Sequence, residues 1–145
     1  MPRRRLSLAS FALEQGAASA VEFALLAPVF LLMLFGMIAY AIYFGAAFSV
    51  QQIAADAART SIAGLSHNER DSLVSSYIAN NAGAYVLIDA TRVTYAIGDK
   101  PDDVNQYQVT VSYDAASLPI WNLYVPLPLP SKTIAYTSVI RKGGR

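Results

Sequence analysis

The chain reads as an α+β protein: a long N-terminal helix that crosses a membrane, a second helix, and a three-stranded antiparallel sheet. Three observations predict this. No Asp, Glu, Lys, Arg or His occurs between Glu22 and Asp56. A helix-start signal, S-x-x-E, stands at Ser66–Glu69. Beyond residue 90, three segments alternate apolar and polar positions in the manner of half-buried strands.

The apolar run is the strongest of these signals. Charged residues make up 14% of the 145-residue chain, against about 25% in an average soluble domain, and the deficit falls between Glu22 and Asp56. From Phe23 to Val50 a helix reaches roughly 42 Å at about 1.5 Å per residue, while the hydrocarbon core of a bilayer is about 30 Å thick. A removable secretory signal carries only about 7–15 apolar residues before a small-residue cleavage site. This run is much longer, and its one such site, Gly45-Ala46-Ala47, sits inside an unbroken helical pattern. Arg3, Arg4 and Arg5 precede the run, and the first positive charge after it is Arg59. The positive-inside rule therefore places the N-terminus in the cytoplasm and the C-terminal part outside. The organisation predicted is a basic cytoplasmic leader over 1–17, a single membrane span over 18–50 and an extracytoplasmic α+β domain over 51–145.

The first helix is expected to run from Ala18 to about Gly64. Pro28 removes one backbone donor within it, which membrane helices tolerate. The leader itself (Leu6, Leu8, Phe11, Leu13) shows no helical period. Ala41, Gly45 and Ser49 form a stripe of small residues at four-residue spacing. Such a stripe admits another helix at close range, or is simply the small-residue content of a lipid-facing helix. After Val50 the pattern turns amphipathic. Ile53, Ala54, Ala57, Ala58 and Ile62 are expected on the buried side, and Gln52, Asp56, Arg59 and Thr60 on the other. Gly64 is a natural stop.

The second helix is expected to start at the Ser66–Glu69 capping box, to bury Leu73, Val74, Tyr77 and Ile78, and to end at Asn80, Asn81 and Gly83. Tyr85–Ile88 is ambiguous between a strand and a helix end. Val93, Tyr95 and Ile97 alternate in a first strand, and Gly98–Asn105 is expected to be a turn. Tyr107, Val109, Val111 and Tyr113 alternate in a second strand, and Thr133–Ile140 reads as a third. Short links favour an antiparallel meander. The loop Leu118–Pro130 (LPIWNLYVPLPLP) is apolar enough either to cover its own domain or to meet a partner or the membrane surface.

No catalytic constellation is present. The chain has no cysteine, hence no thiol chemistry and no disulfide framework. His67, the only histidine, cannot build a multi-histidine metal site and reads as a solvated first-turn residue. Asp99, Asp102 and Asp103 cluster in the hairpin turn, but their spacing is not that of an EF-hand loop, and they read as solvated. A net charge of +1 makes no electrostatic case for nucleic acid. No enzyme, cofactor or metal is expected.

The segment EQGAASAVEFALLAPVFLLMLFG over residues 14–36 resembles the start of TadE-like proteins, minor pilin-like components of the tight-adherence (Flp-type) pilus. The small-residue stretch Gly16–Ala20 after a basic leader, Val21-Glu22-Phe23 opening the apolar run, and Ala27-Pro28 carry the likeness. FSVQQIAADAART, QYQVTVSY and KTIAYTSVI extend it more loosely. The resemblance implies a pilin-like fold and a non-enzymatic role in pilus assembly at a bacterial inner membrane. The implied partners are pilin-like proteins, the assembly machinery and a prepilin peptidase. It further implies leader removal at Gly16, Ala17 or Ala18, with Glu22 and Phe23 read by the peptidase or used in assembly. Cleavage after Gly16 leaves Glu22 as the sixth residue of the product and cleavage after Ala17 leaves it fifth, whereas prepilin peptidases typically cut after glycine and leave glutamate fifth. Glu22 either pairs with the new terminal ammonium of a neighbouring subunit or remains in the headgroup layer as a first-turn acid favoured by the helix dipole. The alternative to the pilus reading is a signal-anchored extracytoplasmic binding domain unrelated to pili.

The arginine asymmetry makes a direct prediction. A reporter active only outside the cytoplasm, fused after Arg145, is expected to be active; a stably produced but inactive fusion would reverse the orientation.

Overall fold

The computed structural model describes the backbone of residues 8–122 and 130–141, with side chains for these except 8–18 and 104. Helix α1 runs Leu8–Ser61 and α2 His67–Asn81. The strands are β1 (Val93–Lys100), β2 (Asp103–Asp114) and β3 (Thr133–Arg141). Short 3-10 turns fill the joints at Ala82–Ala84, Ala90–Arg92, Ala115–Ser117 and Pro119–Asn122. The architecture is α+β with a pilin-like layout: a long apolar N-terminal helix, a second helix and an antiparallel sheet ordered β1-β2-β3.

Helix α1 is already helical at Leu8, the first described residue and ten residues before the expected Ala18. The absence of a period in the leader bears on amphipathicity and not on helicity, and LASFALEQGAA is rich in strong helix formers. At its other end α1 stops at Ser61 and tightens into i→i−3 bonds, with Ile62 N–H donating to Arg59 O at 3.1 Å and Gly64 N–H to Ser61 O at 3.1 Å. The expected stop at Gly64 is thus three residues late, and the glycine is needed for packing. A Cβ there would lie 2.7 Å from Arg70 Cγ and 2.8 Å from the Arg70 backbone nitrogen.

The chain divides into two compact units, Met1–Ile38 and Ala39–Arg145. In the second unit, α1 contributes Ala46, Ala47, Val50, Ile53, Ala54, Ala57 and Ala58 to the core. Ile62, expected on this face, is 58% exposed. Nine residues at about 100° each put it opposite Ile53, and it lies past the helix end, so Ser61 takes the inward place and donates its Oγ–H to Ala58 O at 2.7 Å.

The start of α2 is set by its cap. Ser66 Oγ accepts from Glu69 N–H at 3.2 Å, and Glu69 Oε2 accepts in return from Leu65 N–H at 2.9 Å. Val74 and Ile78 are buried and Leu73 and Tyr77 half-buried, as the period requires. The helix ends at Asn81.

Strand β2 is central and turns Tyr107, Val109, Val111 and Tyr113 to the core. Burying a side chain of this size contributes about 1.5–3 kcal/mol. The turn expected over Gly98–Asn105 is narrower, because β1 and β2 pair on to Asp99↔Tyr107 and Lys100↔Asp103 around a bulge at Asp99/Lys100. Only Pro101 and Asp102 remain between the strands. Tyr85–Ile88 is neither strand nor helix but a turn closed by Ile88 N–H donating to Tyr85 O at 3.3 Å. In the apolar loop, Leu118 and Ile120 are buried in the core, and Trp121 packs against it, donating its indole N–H to Ala115 O at 2.6 Å. This part of the loop covers its own domain; residues 123–129 lie outside the described residues.

Gly64→Ala is expected to destabilise the folded domain by about 1–3 kcal/mol, since the obstructing atoms include backbone. Gly98→Ala, where a Cβ meets nothing within 4 Å, is expected to change little. Denaturant melts of the two variants side by side check this, and equal effects would remove the packing argument.

Candidate functional site

Three groups of residues on α1 bear on function. The first is Gly16, Ala17 and Ala18, which lie on the helical backbone of α1. The second is Glu22 with Phe23. Both are exposed, Phe23 at 73%, and Glu22 forms no ion pair among the described residues. Because α1 starts at Leu8, Glu22 is not in its first turn in the uncleaved chain, and no acid is. The dipole reading of Glu22 therefore fails unless the leader is removed.

The helix beyond Glu22 presents apolar side chains all round. Val21, Leu25, Leu26, Val29, Phe30, Met33 and Met37 are each at least 57% exposed. Phe23, Leu26, Ala27, Phe30 and Leu31, spaced at i, i+3, i+4, i+7 and i+8, line an apolar hollow of about 470 Å³ on one face, next to Pro28. Side chains of this kind, left without cover over more than four helical turns, require an apolar surrounding. By length and composition the stretch Ser19–Ser61 can cross a membrane, with only 11% of its most apolar window buried.

The third group is the small-residue stripe. Its members do not share one environment. Ala41 is exposed, whereas Gly45 and Ser49 meet the turn at Tyr85–Ile88. Ser49 Oγ donates to Val86 O at 2.8 Å, and a Cβ on Gly45 would stand 3.1 Å from Leu87 Cδ1. Two of the three residues are thus small because a segment of the same chain comes close to the helix.

That turn is held from several sides. Leu87 has φ 63°, a left-handed conformation costing a residue with a Cβ about 1–2 kcal/mol. Its carbonyl accepts from the Tyr113 hydroxyl at 3.2 Å. Tyr85 donates its hydroxyl proton to Asp56 Oδ2 at 2.9 Å and therefore accepts from Tyr77, 2.6 Å away. Asp56 Oδ1 also takes Arg59 Nη1 at 2.7 Å. Burial first, then the bonds to Tyr77 and Asp56, push the Tyr85 phenol up. Asp56 was expected on the outer side of α1. The alternation of apolar and polar positions cannot reveal a carboxylate whose partner lies 29 residues further along the chain.

Near the hairpin tip, Tyr107 is fully buried and its hydroxyl has no hydrogen-bond partner among the described residues. The Arg70 guanidinium lies 5.4 Å over its ring and His67 stands edge-on at 5.9 Å. Burial, then Asp71, push its phenol up, with Arg70 opposing and Asp99 adding. His67 is exposed apart from this ring contact. Of the hairpin aspartates, Asp103 is spent on the chain itself, accepting from Asn105 N–H at 2.9 Å and Gln106 Nε2 at 2.8 Å. Among the described residues no group of three or more His, Asp and Glu side chains could hold a metal ion.

The raised phenols predict a pH dependence. Above pH ~10 the unfolded chain loses tyrosine protons that folded Tyr85 and Tyr107 keep, so the native state binds more protons and stability falls as pH rises. This contribution is intact below pH ~10. Tyr85→Phe is expected to lower stability at neutral pH by about 1 kcal/mol and to flatten the alkaline decline. Urea unfolding at neutral and alkaline pH measures both, and an unchanged alkaline slope would dissociate Tyr85 from the effect.

Comparison with known proteins bears on the α1 residues. The family model described as TadE-like protein matches residues 17–59. No curated protein and no solved structure matches the chain. The matched segment starts in the small-residue stretch, includes Glu22 and the apolar helix, and ends at Arg59 beside Asp56. Over residues 17–59 the chain is therefore similar to the TadE-like family.

Proposed function

We propose that this protein is a non-enzymatic, minor pilin-like component of a tight-adherence pilus or related secretion apparatus, acting in assembly at a bacterial inner membrane. The observation that carries the reading is the TadE-like match over residues 17–59, which coincides with the exposed apolar helix. In the proposed sequence of events the chain inserts with its N-terminus in the cytoplasm. A prepilin peptidase removes the leader at Gly16, Ala17 or Ala18, reading Glu22 and Phe23. The freed helix then associates with pilin-like partners and the assembly machinery.

Glu22 supplies the electrostatic part of that association. Cleavage creates an ammonium a few residues upstream, and Glu22 has no partner of its own among the described residues to compete for it. A carboxylate entering an apolar layer unpaired is costly. Pairing between neighbouring subunits relieves that cost and fixes their axial stagger. Opposite charges about 4 Å apart attract by up to ~4 kcal/mol at an effective dielectric near 20. A solvated acid near a helix start contributes only about 0.3–1 kcal/mol.

Glu22→Gln keeps the shape and removes the charge. Coexpressed with the cognate peptidase, it is expected to yield a processed product beginning at Ala17 or Ala18 that crosslinks poorly to pilus partners while the domain melts as wild type. Cleavage is read by mass spectrometry in the same sample. Wild-type crosslinking by the fully processed variant would reject the pairing and favour a signal-anchored binding domain unrelated to pili.

A further inference from the structure

We propose that the tip of the turn Tyr85–Ile88, Val86 and Leu87, with Phe44 and Phe48 of α1, is a lipid contact: it seats in the headgroup layer of the bilayer leaflet where α1 leaves the membrane, while Tyr85 reaches away from it to Asp56. The inference rests on the membrane-anchor reading of α1 and adds a second point of attachment, made by the folded domain itself.

Of the exposed apolar residues of the second unit, four lie on two segments bonded to each other, whereas Ile62, Leu65, Tyr95, Tyr136 and Val139 lie on other segments. Phe44 is 63% and Phe48 60% exposed, in a stretch of α1 with no charged residue. Val86 is 73% and Leu87 38% exposed. The turn that carries them is tied to that same stretch of helix by the Ser49 Oγ–Val86 O bond and by Leu87 resting on Gly45. A left-handed leucine, held in place by Ser49, Gly45 and Tyr113, keeps an apolar pair displayed where a polar turn would be the ordinary choice.

The length of the helix says what surrounds them. With Glu22 at the inner edge of the hydrocarbon, Phe44 and Phe48 lie about 33 and 39 Å along the helix at roughly 1.5 Å per residue. An average tilt of about 20° reduces these to about 31 and 37 Å. The hydrocarbon core is about 30 Å thick and the whole bilayer about 40–45 Å. Phe44 and Gly45, on which Leu87 rests, therefore fall in the outer headgroup layer, and Phe48 lies at its outer margin. Aromatic side chains favour this level, and Tyr40, Tyr43 and Phe44 cluster here with ring centroids 6.0 and 6.2 Å apart. The first charges beyond, Asp56 and Arg59, are about 50 Å from Glu22 along the helix and clear of the bilayer. The contact is thus continuous with the span, and lipid is its occupant.

The chain has no cysteine, so single cysteines can carry a fluorescent label in the full-length protein reconstituted into phosphatidylethanolamine–phosphatidylglycerol vesicles. Labels at Val86→Cys and Phe48→Cys are expected to be quenched several-fold more by a nitroxide on the upper acyl chain than a label at Asn68→Cys on exposed α2, and several-fold less by aqueous iodide. The bond from Ser49 goes to the Val86 backbone, so that substitution spares the turn, and Phe48→Cys repeats the test on the helix. Iodide access equal to that at Asn68 overturns the lipid contact. Protection from both quenchers also overturns it, in favour of cover by a second copy. Met33→Cys keeps the premises apart. Lipid quenching at Met33 but not at Val86 or Phe48 rejects the contact and leaves the anchor, whereas no lipid quenching at Met33 rejects the anchor and the contact with it.

Discussion

One helix has to satisfy two surroundings. In lipid, every backbone donor and acceptor must be met within the segment itself, which an α-helix does without help. In the folded domain, the same helix must also offer a face narrow enough for a sheet and a second helix to close on. The sequence of α1 meets both demands by changing side-chain size rather than backbone. Phe, Leu and Met dominate up to Ile38, and from Ala39 onward the inward positions are mostly Ala, Ser and Gly, with Val50 and Ile53 the larger members. Everything else in the second unit is arranged on that small-residue face. Tyr107 and Tyr113 on the central strand supply bulk the helix lacks, Val74 and Ile78 close one side, and the turn at Tyr85–Ile88 rests on Gly45 and Ser49.

The elements whose causes are local were legible in the chain. The Ser66–Glu69 cap, the alternation in the three strands and the uncharged run each depend on residues a few positions apart, and each has the form expected. What was not legible depends on distant partners. No neighbouring residue announces that Leu87 takes a left-handed conformation, because Ser49, Gly45 and Tyr113 hold it there. Asp56 looked like a solvent-facing acid, since Tyr85 is its reason for being half-buried. The helicity of α1 from Leu8 was hidden for another reason: amphipathic period reports which face is buried and not whether the backbone is helical.

The candidate functional residues divide along the same line. Gly16–Ala18, Glu22 and Phe23 were singled out by likeness to a family, and their chemistry belongs to encounters with other molecules. Gly16–Ala18 lie on helical backbone, and Glu22 and Phe23 are exposed. Gly45 and Ser49 were singled out by spacing, and their surroundings are specific, but the approaching segment is a turn of the same chain and not a second helix. Small-residue spacing signals close approach and is silent about what approaches.

The alanine face of α1 also sets how the protein can change over time. Ala46, Ala47, Ala54, Ala57 and Ala58 are buried at 6% exposure or less. Each contributes little apolar area, so the bulk of the core comes from Val50 and Ile53 on the helix and from Tyr107, Val109, Val111 and Tyr113 on the central strand. Such a surface drifts poorly in either direction. An added methyl group pushes the helix off its neighbours along its whole length, at about 1–3 kcal/mol, and replacement by glycine costs about 1 kcal/mol of helix propensity. On this face the route of adjusting a core by exchanging one large residue for another is open only at Val50 and Ile53.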